Sequence, residues 1–154
     1  MKIIKMTTEN FNKYRSSFHS LLQENMQSHI DCGESTVAYC TRTTEKLYDY
    51  LCTGNAIVFF AIEEDNILGL IWGYPRKYLN QNQLFLQLIQ VHESQRNRGV
   101  GTVLLKQFES YAFSNGYDHI ELITSIDNEN AQKFYVKAGF ISTRIHFAKE
   151  VSCE

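Results

Sequence analysis

The stretch of this chain richest in usable chemistry is His92-Glu93-Ser94-Gln95-Arg96-Asn97-Arg98-Gly99-Val100-Gly101-Thr102. It separates an apolar, strand-like run ending at Val91 from a helical pattern beginning near Gly99. The first turn of a helix leaves backbone N–H groups without partners and carries the positive end of the helix dipole, which together favour a bound phosphate. Gly99 and Gly101 remove side chains that would screen those donors, Asn97 tolerates left-handed torsions, and Thr102 adds a hydroxyl. Arg96 and Arg98 place positive charge where phosphate oxygens would sit. On this fragment alone, a tight strand-to-helix turn with two exposed arginines reads equally well. Two other phosphate loops are absent: no Lys-Ser/Thr pair follows Gly101, and Leu104 stands where the dinucleotide fingerprint needs a small residue.

Hydrophobic periodicity supplies the elements that must position this loop. Ile3-Ile4 predicts a short strand, and Phe11, Tyr14, Phe18, Leu21, Leu22 and Met26 recur at helical spacing. The polar stretch Asp31-Cys32-Gly33-Glu34-Ser35 reads as a loop, followed by a short helix carrying Leu47, Tyr50 and Leu51 and stopped by Gly54. The apolar run 56–62, the turn Glu64-Asp65-Asn66 and the run 67–74 predict a hairpin, and 84–91 a further strand. A helix over 99–115 has Val100, Val103, Leu104, Phe108, Tyr111 and Ala112 on one face and ends at Gly116. A strand at 120–125, a helix from Asp127 or Asn128 to Gly139, and a last strand at 140–147 complete the pattern. An antiparallel first half feeding β-α-β-α-β gives a mixed, mostly antiparallel α/β sheet with helices on both faces.

Composition narrows the classes. A chain of 154 residues with 44% hydrophobic content is long enough for one core, so a single domain over 1–154 is expected. A formal charge of −2, without a lysine or arginine cluster, argues against nucleic acid as partner. No segment approaches the ~20 apolar residues that span a bilayer, and the N-terminus has no signal-peptide run. The expectation is a cytoplasmic protein without membrane attachment. Cys32, Cys40, Cys52 and Cys153 lack zinc-site spacing and read as free thiols; no metal is expected.

Two motifs in order give a resemblance. Arg96-Asn97-Arg98-Gly99-Val100-Gly101 fits the Gln/Arg-x-x-Gly-x-Gly/Ala signature of the GNAT superfamily of N-acetyltransferases. The stretch from Asn128 to Phe140 resembles the family's second motif, Asn-x-x-Ala-x-x-Phe-Tyr-x-Lys-x-Gly-Phe. The resemblance covers roughly residues 56–147, and the first 50 residues fit only loosely. It implies a GNAT-like fold, acetyl-CoA as co-substrate, and direct transfer to an amine of a small molecule or peptide. Ile89, Gln90 and Val91 would occupy the splayed strand, where backbone groups of Ile89 and Val91 pair with the pantetheine arm as though it were an added strand. Residues 97–102, with Arg96, would wrap the pyrophosphate, and Asn128, Ala131 and Phe134 would line the other side of the arm. Phe134 reads equally well as helix packing.

The resemblance also assigns catalytic parts. The backbone N–H of Val91 would polarise the thioester carbonyl, and the Tyr135 phenol would protonate the departing sulfur. An acid used by some relatives is replaced by Phe85, and another subgroup's by Ile123. His92, Glu121, His29 and Glu24 are candidate bases, each also readable as a solvated surface residue, and none is assigned. The acceptor pocket would come from residues 11–54 and 74–83, where Glu24, Asp31 and Glu34 could attract a cationic amine. Homodimerisation through a shared sheet edge or last strand is common among such relatives. A different class, a coenzyme A-binding sensor or interaction module without catalysis, is compatible with the missing carboxylate, whereas Tyr135 argues for chemistry.

Overall fold

The computed structural model of the chain describes residues 1–26, 35–149 and 151. The chain divides into two compact units, residues 1–123 and 124–154.

The first unit is a five-stranded sheet in the order β1-β2-β3-β4-β5, with β1 Lys2–Lys5, β2 Ile57–Glu63, β3 Asn66–Tyr78, β4 Gln81–Val91 and β5 His119–Leu122. All neighbours pair antiparallel except β4 and β5, which are parallel. Three helices belong to it: α1 Thr8–Met26, α2 Thr36–Cys52 and α3 Val100–Ser114.

The helices lie on both faces, as the residues of β2 show. Successive side chains of a strand point to opposite sides. Phe60 stacks on Phe18 and touches Phe11 and Tyr14 of α1, whereas its neighbour Phe59 meets Tyr111 of α3 edge-on at 5.9 Å. The α1/α2 layer also buries Leu47, Val58, Leu70 and Trp72, and the α3 layer buries Leu104, Phe108 and Ala112. Gly73 permits the close approach of α3: a Cβ there would stand 2.6 Å from Phe108 Cζ and collide with Phe85 O.

β4 carries an irregularity that matters for the site. Trp72 faces Leu88 while Gly73 faces Leu86, so Gln87 is an extra residue, a β-bulge. One added residue inverts the facing of everything beyond it. Before the bulge Phe85 shares a face with Tyr74 and Trp72; after it Leu88 and Gln90 take that face.

Several sequence expectations are corrected here. α2 begins at Thr36, capped by the Ser35 hydroxyl, and is far longer than the short helix expected. β3 and β4 run on through 75–83, joined at Leu79 and Asn80, which both have positive φ, so the proposed pocket segment 74–83 is largely a hairpin. Val103 is exposed instead of core. β5 stops at Leu122, short of the expected end at Ser125.

In the second unit, α4 spans Glu129–Lys137, with the Asn128 side chain accepting from the Ala131 N–H at 3.1 Å. The strand expected at 140–147 is not formed: residues 141–149 are exposed and irregular, with Ile145 81% accessible. A strand needs a ladder partner, and α4 is the one regular element among the described residues of this unit.

Candidate active site

The site begins with an open sheet edge. β5 pairs with β4 only from Gln83 to Leu86, so beyond the bulge that side of β4 has no strand partner among the described residues. The His92 N–H donates to Leu68 O at 2.9 Å, and the ladder continues through the Gln90–Leu70 pair. Alternation then turns the main-chain groups of Ile89 and Val91 toward the open edge. An extended amide-bearing ligand would find donors and acceptors there at strand spacing. Gln90 does not share this edge. Its side chain is buried and its Nε2 donates to Leu21 O of α1 at 2.8 Å, so the expected cofactor contact by Gln90 has no support in its orientation. The Gln90 Oε1 and the Trp72 indole N–H, also on that face, are buried without partners.

β4 leads through a 3-10 turn, Glu93–Gln95, into the loop before α3. Asn97 has φ +61° and Gly99 φ +82°, the left-handed torsions their types accommodate at least cost. Gly99 occupies the cap position and has no side chain to offer. The first intrahelical bond of α3 runs from Val103 N–H to Gly99 O, which leaves the Val100, Gly101 and Thr102 amides as the helix's orphan donors. α2 and α4 have their starts closed by Ser35 and Asn128, so an uncapped start is particular to α3 among these three. Val100 is 4% exposed, so its side chain belongs to the core and only its amide could face a phosphate. Arg96, Arg98 and Thr102 are exposed, with Arg98 Nη1 donating to Gln95 Oε1 at 3.1 Å.

In the second unit, α4 presents Ala131, Phe134 and Tyr135, all half-buried. The Tyr135 ring meets Phe134 at 5.3 Å and Phe140 at 5.6 Å, both edge-on. Burial pushes its phenol up to about 12, so the group stays protonated throughout the neutral range. Asn128, expected to line the pantetheine arm, commits its side-chain oxygen to the helix cap.

The candidate bases separate. Both Glu121 oxygens are engaged, one by Arg76 and one by Gln83 Nε2, so this carboxylate belongs to a structural network on β3, β4 and β5. Glu24 and His92, 68 residues apart, are brought together: Glu24 Oε2 lies 3.3 Å from His92 Nε2, and its Oε1 accepts from the Glu93 N–H at 2.6 Å. Ser94, which the sequence did not single out, has its Oγ 3.0 Å from His92 Nδ1. Phe85 is buried against Tyr74 and Arg76, and Ile123 is exposed. His29, Asp31, Cys32, Gly33, Glu34 and Cys153 lie outside the described residues, as does the side chain of Met26. Cys40, buried, and Cys52, exposed, are free thiols. Among the described residues no three His, Cys, Asp or Glu side chains group as a metal site, and no helix is long and apolar enough to cross a membrane.

The fold is a mixed sheet whose fourth strand opens beside a glycine-started helix. Residues 18–140 match the model of the Acetyltransferase (GNAT) family, and the chain belongs to that family. It is similar to "Probable N-acetyltransferase san" of Drosophila melanogaster, 25% identical over 120 residues, covering 76% of this chain and 65% of that protein. The chain thus spans just under two thirds of that relative's length. Among solved structures, a putative acetyl transferase from Pyrococcus furiosus superposes with TM-score 0.77 at 23% identity, covering 97% of this chain and all of the other. AAC(6')-Iy, in complex with the bisubstrate analog CoA-S-monomethyl-acetylneamine, superposes with TM-score 0.72 at 22% identity, covering 99% and 98%. At these identities the structural likeness establishes the fold.

Proposed function

We propose that this chain is an acetyl-CoA-dependent N-acetyltransferase that moves an acetyl group directly to a primary amine of a small molecule or peptide, acting as one domain over 1–154 in the cytoplasm. One observation carries the reading. The open edge of β4 at Ile89 and Val91 runs directly into the uncapped start of α3, so an amide-bearing arm and the diphosphate at its end meet suitable donors in the order in which coenzyme A presents them. The fold family and the solved relative with a coenzyme A bisubstrate analog support the same reading.

In the proposed reaction the Val91 N–H, already turned to the open edge, donates to the thioester carbonyl oxygen as negative charge develops there. The amine nitrogen bonds to the carbonyl carbon and the C–S bond breaks. Tyr135, neutral at working pH, gives its proton to the departing thiolate. No covalent enzyme intermediate and no metal takes part. Arg96, Asn97 and Arg98, with the amides of residues 99–102, hold the pyrophosphate. Asn128, Ala131 and Phe134 are proposed contacts of the pantetheine arm, Asn128 through its main chain.

The test mixes the full chain with acetyl-CoA and tyramine, glucosamine or a tetrapeptide with a free amino terminus, and follows free thiol. Isothermal titration with acetyl-CoA runs in parallel. Thiol release with at least one acceptor is the expected result. Binding without turnover would instead establish a coenzyme A-binding module, and no binding at millimolar ligand would remove the reading altogether.

A further inference from the structure

We propose that His92 is the base that takes the proton from the acceptor ammonium, with Ser94 as the relay and Glu24 as the positioning residue; the inference rests on the amine-acetylation reading above. An amine that arrives as an ammonium has no lone pair with which to attack, so its proton must leave first. The chain lacks a carboxylate at Phe85 and Ile123, and Glu121 is held by Arg76 and Gln83. Glu24 and His92, by contrast, converge from α1 and the end of β4.

The geometry defines a direction for the proton. Glu24 Oε2 lies 3.3 Å from Nε2, and its negative charge favours the tautomer with the proton on that nitrogen and the lone pair on Nδ1. Nδ1 faces the Ser94 hydroxyl at 3.0 Å. His92 occupies the cap position of the 3-10 turn yet makes no capping bond with its side chain; Glu24 closes the turn instead, through the Glu93 N–H. The imidazole is thus oriented from both sides without being needed for the turn. It opens onto a cavity of about 490 Å3 that Glu24, Ser94 and Gln95 share with Glu63 and Glu64 of the β2–β3 turn. His92 is the next residue after Val91, whose amide is proposed to hold the carbonyl.

The step balances as follows. An N–H bond of the ammonium breaks and its proton goes to Ser94 Oγ, while the Ser94 hydroxyl proton goes to His92 Nδ1. The products are a neutral amine, an unchanged serine, and an imidazolium whose charge faces Glu24. The imidazolium, with 47% of its side chain exposed, then loses its proton to water. Among the described residues the other charges around the cavity are Glu63, Glu64 and the adjacent Glu93, set against the Met1 ammonium that pairs with Glu63 at 2.8 Å and Arg98 that bonds to Gln95.

The experiment measures kcat/KM against pH for the full-length wild type, His92→Gln, His92→Asn and Glu24→Gln, using whichever of tyramine, glucosamine or the tetrapeptide turns over fastest. Acetyl-CoA affinity is measured on each. Both His92 variants should lose about 10²-fold in kcat/KM at neutral pH and lose the acidic limb of the profile, with coenzyme affinity unchanged. Glu24→Gln removes the charge that faces the imidazole, so kcat should fall, by less than in the His92 variants, while acetyl-CoA affinity holds. A His92 variant that keeps the wild-type rate and limb overturns the inference. So does a loss of rate accompanied by an equal loss of acetyl-CoA affinity, which would make His92 structural. A wild type that binds acetyl-CoA but releases no thiol with any acceptor brings down the acetylation reading itself, and this inference with it.

Discussion

At the scale of single residues, two side chains test the chemistry and the cradle separately. Tyr135→Phe removes a proton donor and almost no contact area, so turnover should fall by about tenfold or more while acetyl-CoA affinity holds. An unchanged rate in the thiol assay removes Tyr135 from the mechanism. Because burial raises this phenol to about 12, the folded state keeps the proton longer than the unfolded chain. Its contribution to stability is complete below about pH 10 and is lost as pH rises toward 12, so no basic limb from Tyr135 belongs in the neutral range. Gly101→Glu places bulk and negative charge at the donors of the first turn of α3, and should abolish coenzyme binding in titration calorimetry; retained binding would refute the loop assignment. The sequence already offered Asn97, Gly99 and Tyr135 for these parts, since torsional tolerance and a phenol are properties of residue type. It could not offer the contact between Glu24 and His92, because nothing local records that α1 crosses the end of β4. Ser94 was missed for the same reason.

At the scale of elements, packing decided what patterns could not. Gly73 sits where Phe108 of α3 presses on the sheet, so Gly73→Ala should cost about 3 kcal/mol in urea denaturation through overpacking against Phe108 and the Phe85 carbonyl. A cost below about 1 kcal/mol would mean α3 moves aside freely. α1, α3 and the β2–β3 hairpin were legible because their apolar residues keep a clear period. α2 was read too short because one of its inward positions is Thr44, a polar residue buried at 3% that satisfies its hydroxyl on Cys40 O at 2.7 Å. The Leu79-Asn80 turn lacks the glycine that usually marks two consecutive positive φ values, so the hairpin above it looked like a loop. The expected last strand failed for the opposite reason: its alternation is present in the residues, but alternation cannot supply a ladder.

At the scale of the whole molecule, every described residue with a fully buried side chain lies before position 113, inside the first unit. Residues 1–123 alone should therefore unfold in one cooperative transition, with a urea dependence close to that of the full chain, since that slope follows the surface exposed on unfolding. Such a fragment lacks Tyr135 and should not release thiol. A fragment that is unfolded at 25 °C would show that the last 31 residues, 124–154, contribute to the core's stability. The surplus residue in β4 has a consequence at this scale. Gln87 lets β4 keep the α1 face on both sides of it, with Phe85 before and Leu88 and Gln90 after, while the edge beyond it has no strand partner among the described residues. Variation at Leu88 and Gln90 can then remodel the packing against α1 without touching the residues that face α3. The bulge thereby keeps changes in one packing layer apart from the strand edge itself.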